Sequence, residues 1–248
     1  MKKHHCLSVL TFSLISSTVT FAGGGQWTYE GETGPEHWGS LSPEFSLCDT
    51  GKNQSPVDLV ADLDADLPEL VFEYHGTPLR ETNNGHTIQI DVRPGNLLEI
   101  GENGFQAELK QAHFHSPSEH TVDGKHTDME IHLVHMDESG QLTVVGIMIE
   151  EGEENPLLNK IWAFMPVQVG ESTEAAVSVF EAGVLPPTRE YFRYNGSLTT
   201  PPCSEGVRWI VLQEHLTASA EQIAAFKARI GEASNRPVQP DYARLIVK

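Results

Sequence analysis

Five segments of this 248-residue chain alternate apolar and polar side chains with a period of two: Ile88 to Val92, Phe105 to His115, Glu130 to His135, Leu142 to Ile149 and Val207 to Leu212. Successive side chains of a strand point to opposite faces, so this pattern commits the chain to half-buried β-strands and excludes a helical bundle. Helix signals are few. Asn155 before Pro156 supplies a cap and an N1 proline for a helix over Leu157 to Met165, and Ser219 with Gln222 makes a capping box ahead of Ile223 to Ile230. With 21 glycines and 15 prolines the chain is loop-rich, and its length suits one domain. The expected class is mostly β (α+β), a single domain with short peripheral helices.

The chain carries 16 Lys+Arg against 35 Asp+Glu, a formal charge of −19. Nucleic acids and anionic membranes need clustered cations, so neither is an expected partner. Residues 1–22 have a different character. Lys2 and Lys3 lead an apolar run from Leu7 to Phe21 that ends in Thr20-Phe21-Ala22 and meets Gly23-Gly24-Gly25. This is the pattern of a secretory signal peptide, too short and wrongly flanked for a membrane anchor. The expectation is an exported protein, periplasmic or secreted, whose domain spans residues 23–248 and carries a charge of −21. Cys6 leaves with the leader. Cys48 and Cys203 remain, and an even pair in an exported chain reads as one disulfide, with two buried free thiols as the alternative.

Two patterned strands concentrate the histidines. In Gln111-Ala112-His113-Phe114-His115, alternation puts Gln111, His113 and His115 on one face and Phe114 on the other. In Glu130-Ile131-His132-Leu133-Val134-His135, Glu130, His132 and Val134 share a face, and Ile131, Leu133 and His135 share the opposite one. Neighbouring strands would then bring three imidazoles together. Three neutral imidazoles suit Zn²⁺ with one position left for water, and they leave the full dipositive charge available to acidify it. Gln111 and Glu130 are the kind of hydrogen-bonding neighbours that fix imidazole orientation. A metallo-β-lactamase pattern fails, because Pro117 and Ser118 stand where an acid and a histidine are needed. His113, His115 and Glu119 do satisfy the cupin spacing, but Ala107 replaces its glycine and no Pro-x-Gly follows.

The blocks Gln111-Ala112-His113-Phe114-His115, Ser118-Glu119-His120-Thr121-Val122-Asp123, Glu130 to His135 and Gly196-Ser197-Leu198-Thr199-Thr200-Pro201-Pro202 resemble the α-class carbonic anhydrases. So do Gly34-Pro35-Glu36-His37-Trp38, Asn53-Gln54-Ser55-Pro56-Val57, Asn83-Asn84-Gly85-His86, Val207-Arg208-Trp209 and Asn235-Arg236-Pro237, in the same order from about Trp27 to the C-terminus. The leader, the two cysteines and Pro202-Cys203-Ser204-Glu205-Gly206 bring the chain closest to the exported bacterial branch. Ser116-Pro117 departs from the Trp-Gly of many animal members.

The resemblance implies a large, twisted, mostly antiparallel sheet of about ten strands and a zinc enzyme that hydrates CO₂ reversibly to bicarbonate and a proton. It implies that His113, His115 and His132 bind Zn²⁺, that Thr199 accepts the hydrogen bond of the zinc-activated hydroxide, and that Glu119 orients Thr199. It further implies that Val134, Val144, Leu198, Thr199, Thr200 and Trp209 contact CO₂, that Tyr29, Asn84 and Gln89 organise water, and that His86 shuttles protons. Bacterial relatives also leave a homodimer open. Two alternatives stand beside this reading: a cupin-type metalloenzyme, and a non-catalytic zinc-binding module of the same fold, against which the retention of all three histidines argues.

Overall fold

The period-two segments form the middle of one eleven-stranded sheet. The computed structural model describes residues 26–101, 104–180 and 183–248. The leader expected over residues 1–22 lies outside them. The strands are β1 (Leu70–Glu73), β2 (Thr77–Asn83), β3 (Ile88–Asp91), β4 (Leu97–Ile100), β5 (Phe105–His115), β6 (Met129–Met136), β7 (Leu142–Glu151), β8 (Ser172–Val179), β9 (Tyr191–Ser197), β10 (Glu205–Leu212) and β11 (Leu216–Ala218). Their main order is β8-β2-β3-β5-β6-β7-β10-β9, with β1 on β4, β4 on β5, and β11 on β7. Pairing is antiparallel except where β10 and β11 run parallel to β7. The α-helices are short: α1 (Trp38–Leu41), α2 (Leu47–Thr50), α3 (Pro156–Trp162) and α4 (Ala220–Ile230).

Sequence and structure agree closely at the caps. Asn155 accepts from the Leu157 and Leu158 N–H groups, and Ser219 and Gln222 form the reciprocal box. Helix α3 stops three residues before the expected Met165. The residue preceding Pro166 is pushed out of helical backbone, and the turn closes with Phe164 N–H on the Ile161 carbonyl.

Alternation puts Gln111, His113 and His115 on the cleft side of β5 and Phe114 on the other, as expected, but it does not run unbroken through the whole strand. Leu109, Ala112 and Phe114 all pack into the main core, although Leu109 and Ala112 are three residues apart. A register shift between Leu109 and Gln111 in the pairing with β6 accounts for it. Such a bulge inserts one residue and flips every later side chain to the other face. Without it Gln111, His113 and His115 would point into the hydrocarbon core beneath α3 and α4; with it they face the opposite side. There Val134, Val144, Val207 and Trp209 belong to a second apolar cluster.

One core position is costly. Glu81 lies on the buried face of β2, fully enclosed, with neither carboxyl oxygen hydrogen-bonded among the described residues. Burial pushes its pKa from 4.5 to about 8, and Arg229 on α4 opposes the rise. The folded protein therefore keeps this proton up to about pH 8, whereas the unfolded chain releases it near 4.5. Stability must fall as pH rises through that window and level off above it. Glu81→Gln is expected to leave Tm little changed near the lower limit and to raise it by roughly 5 °C near the upper one. Calorimetry across pH checks this, and a gain independent of pH would show that the carboxyl does not ionise on this schedule.

Candidate metal centre

Three imidazoles converge where β5 meets β6. His113 stands directly opposite His132 in the register, and His115 stands opposite Glu130. The ring centroids of His113, His115 and His132 lie 4.5 to 5.1 Å apart. Each ring has one nitrogen already engaged. His113 Nδ1 meets Gln111 Oε1 at 2.8 Å, His115 Nδ1 donates to the Ser234 carbonyl at 2.5 Å, and His132 Nε2 donates to Glu130 Oε1 at 2.8 Å. The second nitrogens are left for one another's neighbourhood, with one nitrogen from each ring within 4.8 Å of the others. His115 Nε2 is buried with no hydrogen-bond partner among the described residues. An orphaned acceptor in a triad of this kind fits a cation.

The protonation states agree. Burial is the leading cause that lowers all three histidines; it takes His115 to about 4, and the proximity of His115 and His132 drives His113 well below its usual range. Three lone pairs are thus free at neutral pH. Glu130 behaves oppositely: burial raises its carboxyl, but its interactions with His120 and His132, the hydrogen bonds among them, outweigh burial and leave it well below the carboxylate range. It is an anion held against His132, which keeps that imidazole's Nε2 protonated and its Nδ1 free.

His120, Glu130 and His132 form a second group of potential ligands. It is already saturated. Glu130 Oε2 accepts the Glu119 and His120 N–H groups, and Oε1 accepts from His120 Nδ1 and His132 Nε2. His120 Nε2 pairs with Tyr194 Oη at 2.6 Å. Gly146 makes room for this carboxylate, since a Cβ there would sit 2.7 Å from Glu130 Oε1. His135, the other histidine of β6, is buried elsewhere against Tyr74 Oη.

The triad floors a cleft of about 580 Å³. Val134, Val144, Leu198 and Trp209 line it with Thr199 and Thr200, and Tyr29, Asn84, His86 and Gln89 line it too. Thr199 is buried, and its hydroxyl contact and the Arg236 N–H bond both pull down the Glu119 carboxyl, which burial nevertheless raises to about 7. Glu119 Oε1 accepts that N–H at 2.8 Å, and Oε2 lies 3.6 Å from His115 Nε2. His86 stacks on Trp27, rings 3.6 Å apart and 7° from parallel, and burial lowers its pKa. Asn84 Oδ1 accepts from the His86 and Thr87 N–H groups and so shapes the turn. Gln89 donates to Asp91, and burial raises Tyr29 well above the phenol range.

A family model described as eukaryotic-type carbonic anhydrase matches residues 33–248. The chain belongs to the carbonic anhydrase family. A carbonic anhydrase of Pectobacterium carotovorum is 43% identical over 241 residues, covering 97% of this chain and 98% of that one. Among solved structures, the α-carbonic anhydrase of Thermovibrio ammonificans, in complex with the inhibitor sulfanilamide, superposes with a TM-score of 0.87 at 45% identity, covering 91% of this chain and 100% of that one. The Photobacterium profundum α-carbonic anhydrase gives 0.84 at 43% identity, covering 90% and 100%. The open eleven-stranded sheet is that of these proteins, and it removes the cupin alternative. Cys48 and Cys203 are bonded to each other, as expected.

Sequence reasoning gave no role to His120, Tyr194 or Arg236, nor to the Ser234 carbonyl that holds His115. A backbone carbonyl leaves no trace in side-chain identity. The three side chains do lie in the matching blocks or beside them, but their polar partners are remote in sequence.

Proposed function

We propose that this protein is a zinc-dependent carbonic anhydrase interconverting CO₂ and bicarbonate. The observation that carries the reading is the convergence of three neutral imidazoles, one of them orphaned, at the floor of a half-apolar cleft. His113, His115 and His132 would hold the metal, Gln111, Ser234 and Glu130 fixing their orientation. Zinc bound there would supply a Lewis acid that lowers the pKa of a water ligand. Glu119 Oε2 is a buried acceptor with no hydrogen-bond partner among the described residues, and with its own proton given to that oxygen Thr199 would act toward the cleft only as an acceptor. It therefore sets the orientation of the attacking water, a positioning effect rather than a covalent one. Val134, Val144, Leu198 and Trp209 offer apolar substrate a dry wall, with Thr200 beside it; Tyr29, Asn84 and Gln89 offer polar anchors for ordered water on the other side.

His86 would receive the proton. Burial against Trp27 lowers its pKa below 6.5, so at neutral pH the ring is uncharged and can accept. Because proton export is separate from attack on CO₂, His86→Ala should lower kcat about tenfold or more in dilute buffer and leave kcat/KM unchanged, with imidazole restoring the rate. An equal fall in both without rescue would give His86 a purely structural part.

Export fits the same picture. The leader pattern of residues 1–22 and the Cys48–Cys203 bridge both suit an oxidising compartment, periplasmic or extracellular. Among the described residues no helix is long and apolar enough to cross a membrane. Stopped-flow CO₂ hydration by zinc-loaded, chelator-stripped and reloaded protein tests the function. Stoichiometric zinc without hydration would favour a binding module of the same fold.

A further inference from the structure

Arg236 is 1% exposed, and both Nη atoms of its guanidinium donate to amide oxygens. Nη1 donates to Gln54 Oε1 and to the Ser55 carbonyl, each at 2.8 Å, and Nη2 donates to the Cys48 carbonyl at 3.0 Å. Its own N–H is the donor at 2.8 Å to Glu119 Oε1. One residue thus grips the Cys48–Ser55 segment with its side chain and Glu119 with its backbone. The segment is in turn fastened to the loop that bears Thr199. Gln54 turns its other face to that loop, donating Nε2 to the Cys203 carbonyl at 3.0 Å. The Ser55 N–H donates to Ser197 Oγ at 2.9 Å, Ser55 Oγ accepts the Ser197 N–H at 3.0 Å, and Cys48 is bonded to Cys203. Two residues upstream, the Ser234 carbonyl holds His115.

We propose that Arg236 is a positioning residue for the reaction: its buried guanidinium clasps Cys48, Gln54 and Ser55, and thereby fixes the separation between Glu119, held by the Arg236 N–H, and the Thr199 loop, held through Gln54, Ser55 and the disulfide. The proposal deepens the carbonic anhydrase reading and rests on it. Glu119 and Thr199 sit on different segments 80 residues apart in sequence, and neither segment alone dictates their contact. A planar fork with five donors can hold three carbonyl-type oxygens at once, which a lysine ammonium on a flexible stem does not do with the same geometry. With Oε1 of Glu119 occupied by the N–H, Oε2 is the acceptor left for the Thr199 hydroxyl.

The test uses the full zinc-loaded protein and the variants Arg236→Lys and Gln54→Ala, the second leaving the guanidinium in place should the first fold poorly. Rates are taken per mole of bound zinc. Arg236→Lys is expected to lower kcat/KM about 10- to 100-fold, as a small misplacement of reacting groups does. Gln54→Ala should lower it less, and the double variant should fall short of the product of the two, because both break one clasp. The dependence of kcat on buffer concentration, which reports proton export, should not move. In metal-free ¹⁵N-labelled protein the residue 236 amide should lose at least about tenfold of its exchange protection in either variant. Unchanged kcat/KM per zinc in both variants, or additive losses, would overturn the proposal and leave Arg236 a stability residue. Wild-type protein that binds zinc and hydrates no CO₂ would instead overturn the functional reading, and the reaction role of Arg236 with it.

Discussion

Replacement of His132 with alanine is expected to strip the protein of zinc and to lower CO₂ hydration at least about a thousandfold, because the Lewis-acid contribution of several kcal/mol goes with the metal. The effect should be larger than for an ordinary core change. His132 faces His113 across the β5–β6 ladder, and the variant would leave two imidazoles whose free nitrogens no longer close a site. It would also leave Glu130, a buried anion, with His120 as its remaining side-chain partner, so some loss of stability accompanies the loss of metal. Two contrasts sharpen the test. Glu119→Gln should keep zinc and lose rate about a hundredfold, since an amide can donate to Thr199 and spoil its role as an acceptor. His120→Ala should also keep zinc, because Glu130 then still orients His132. Elemental analysis of purified protein reads all three. Stoichiometric zinc in His132→Ala would take the metal away from both groups, since His132 belongs to each, and loss of zinc in His120→Ala would move the site to the second.

Legibility in the sequence followed the physics of each element. The strands that carry the site were visible because both their faces are demanding: β6 is apolar toward α3 and α4 through Ile131 and Leu133, and polar toward the cleft through Glu130 and His132. Their helices were visible through caps, which are local. Six strands gave no such signal. Pro78 interrupts β2, the edge strand β8 is mostly Ser, Thr and Ala with half-exposed positions, β9 carries Arg193, Asn195 and Gly196, and β11 is three residues long. Within β5 the limits of extent were readable but the bulge was not, and only the bulge explains why a strand that buries Leu109 can present His113 and His115 to the cleft. The same division holds for the site. The proposed ligand histidines announce themselves by type and spacing, whereas the Ser234 carbonyl that aims His115 and the Arg236 N–H that holds Glu119 come from a segment more than a hundred residues away in the chain.

Removal of the Cys48–Cys203 bridge, by reduction or as the Cys48→Ser/Cys203→Ser variant, is expected to cost about 5 kcal/mol, from the entropy of an unfolded chain no longer closed into a long loop. The sequence separation is 155 residues, close to two-thirds of the protein. A loss of that size corresponds to a fall in Tm of roughly 10–20 °C in a domain of this length. Native packing around the bridge gives little reason for a larger loss, because Trp38, Phe45 and Tyr29 enclose the two sulfurs and remain after the bond is broken. The entropic origin has its own signature. If the bridge acts on the unfolded state, its removal lets that state expand and expose more surface, so the urea m-value must rise while the native fold and its zinc content are kept. A fall in Tm with an unchanged m-value would place the effect in the native state instead. A native route through the loop bearing Thr200 and Thr199 would then appear as a parallel loss of kcat/KM at temperatures well below unfolding, since the Cys203 N–H is bonded to the Thr200 carbonyl at 2.9 Å.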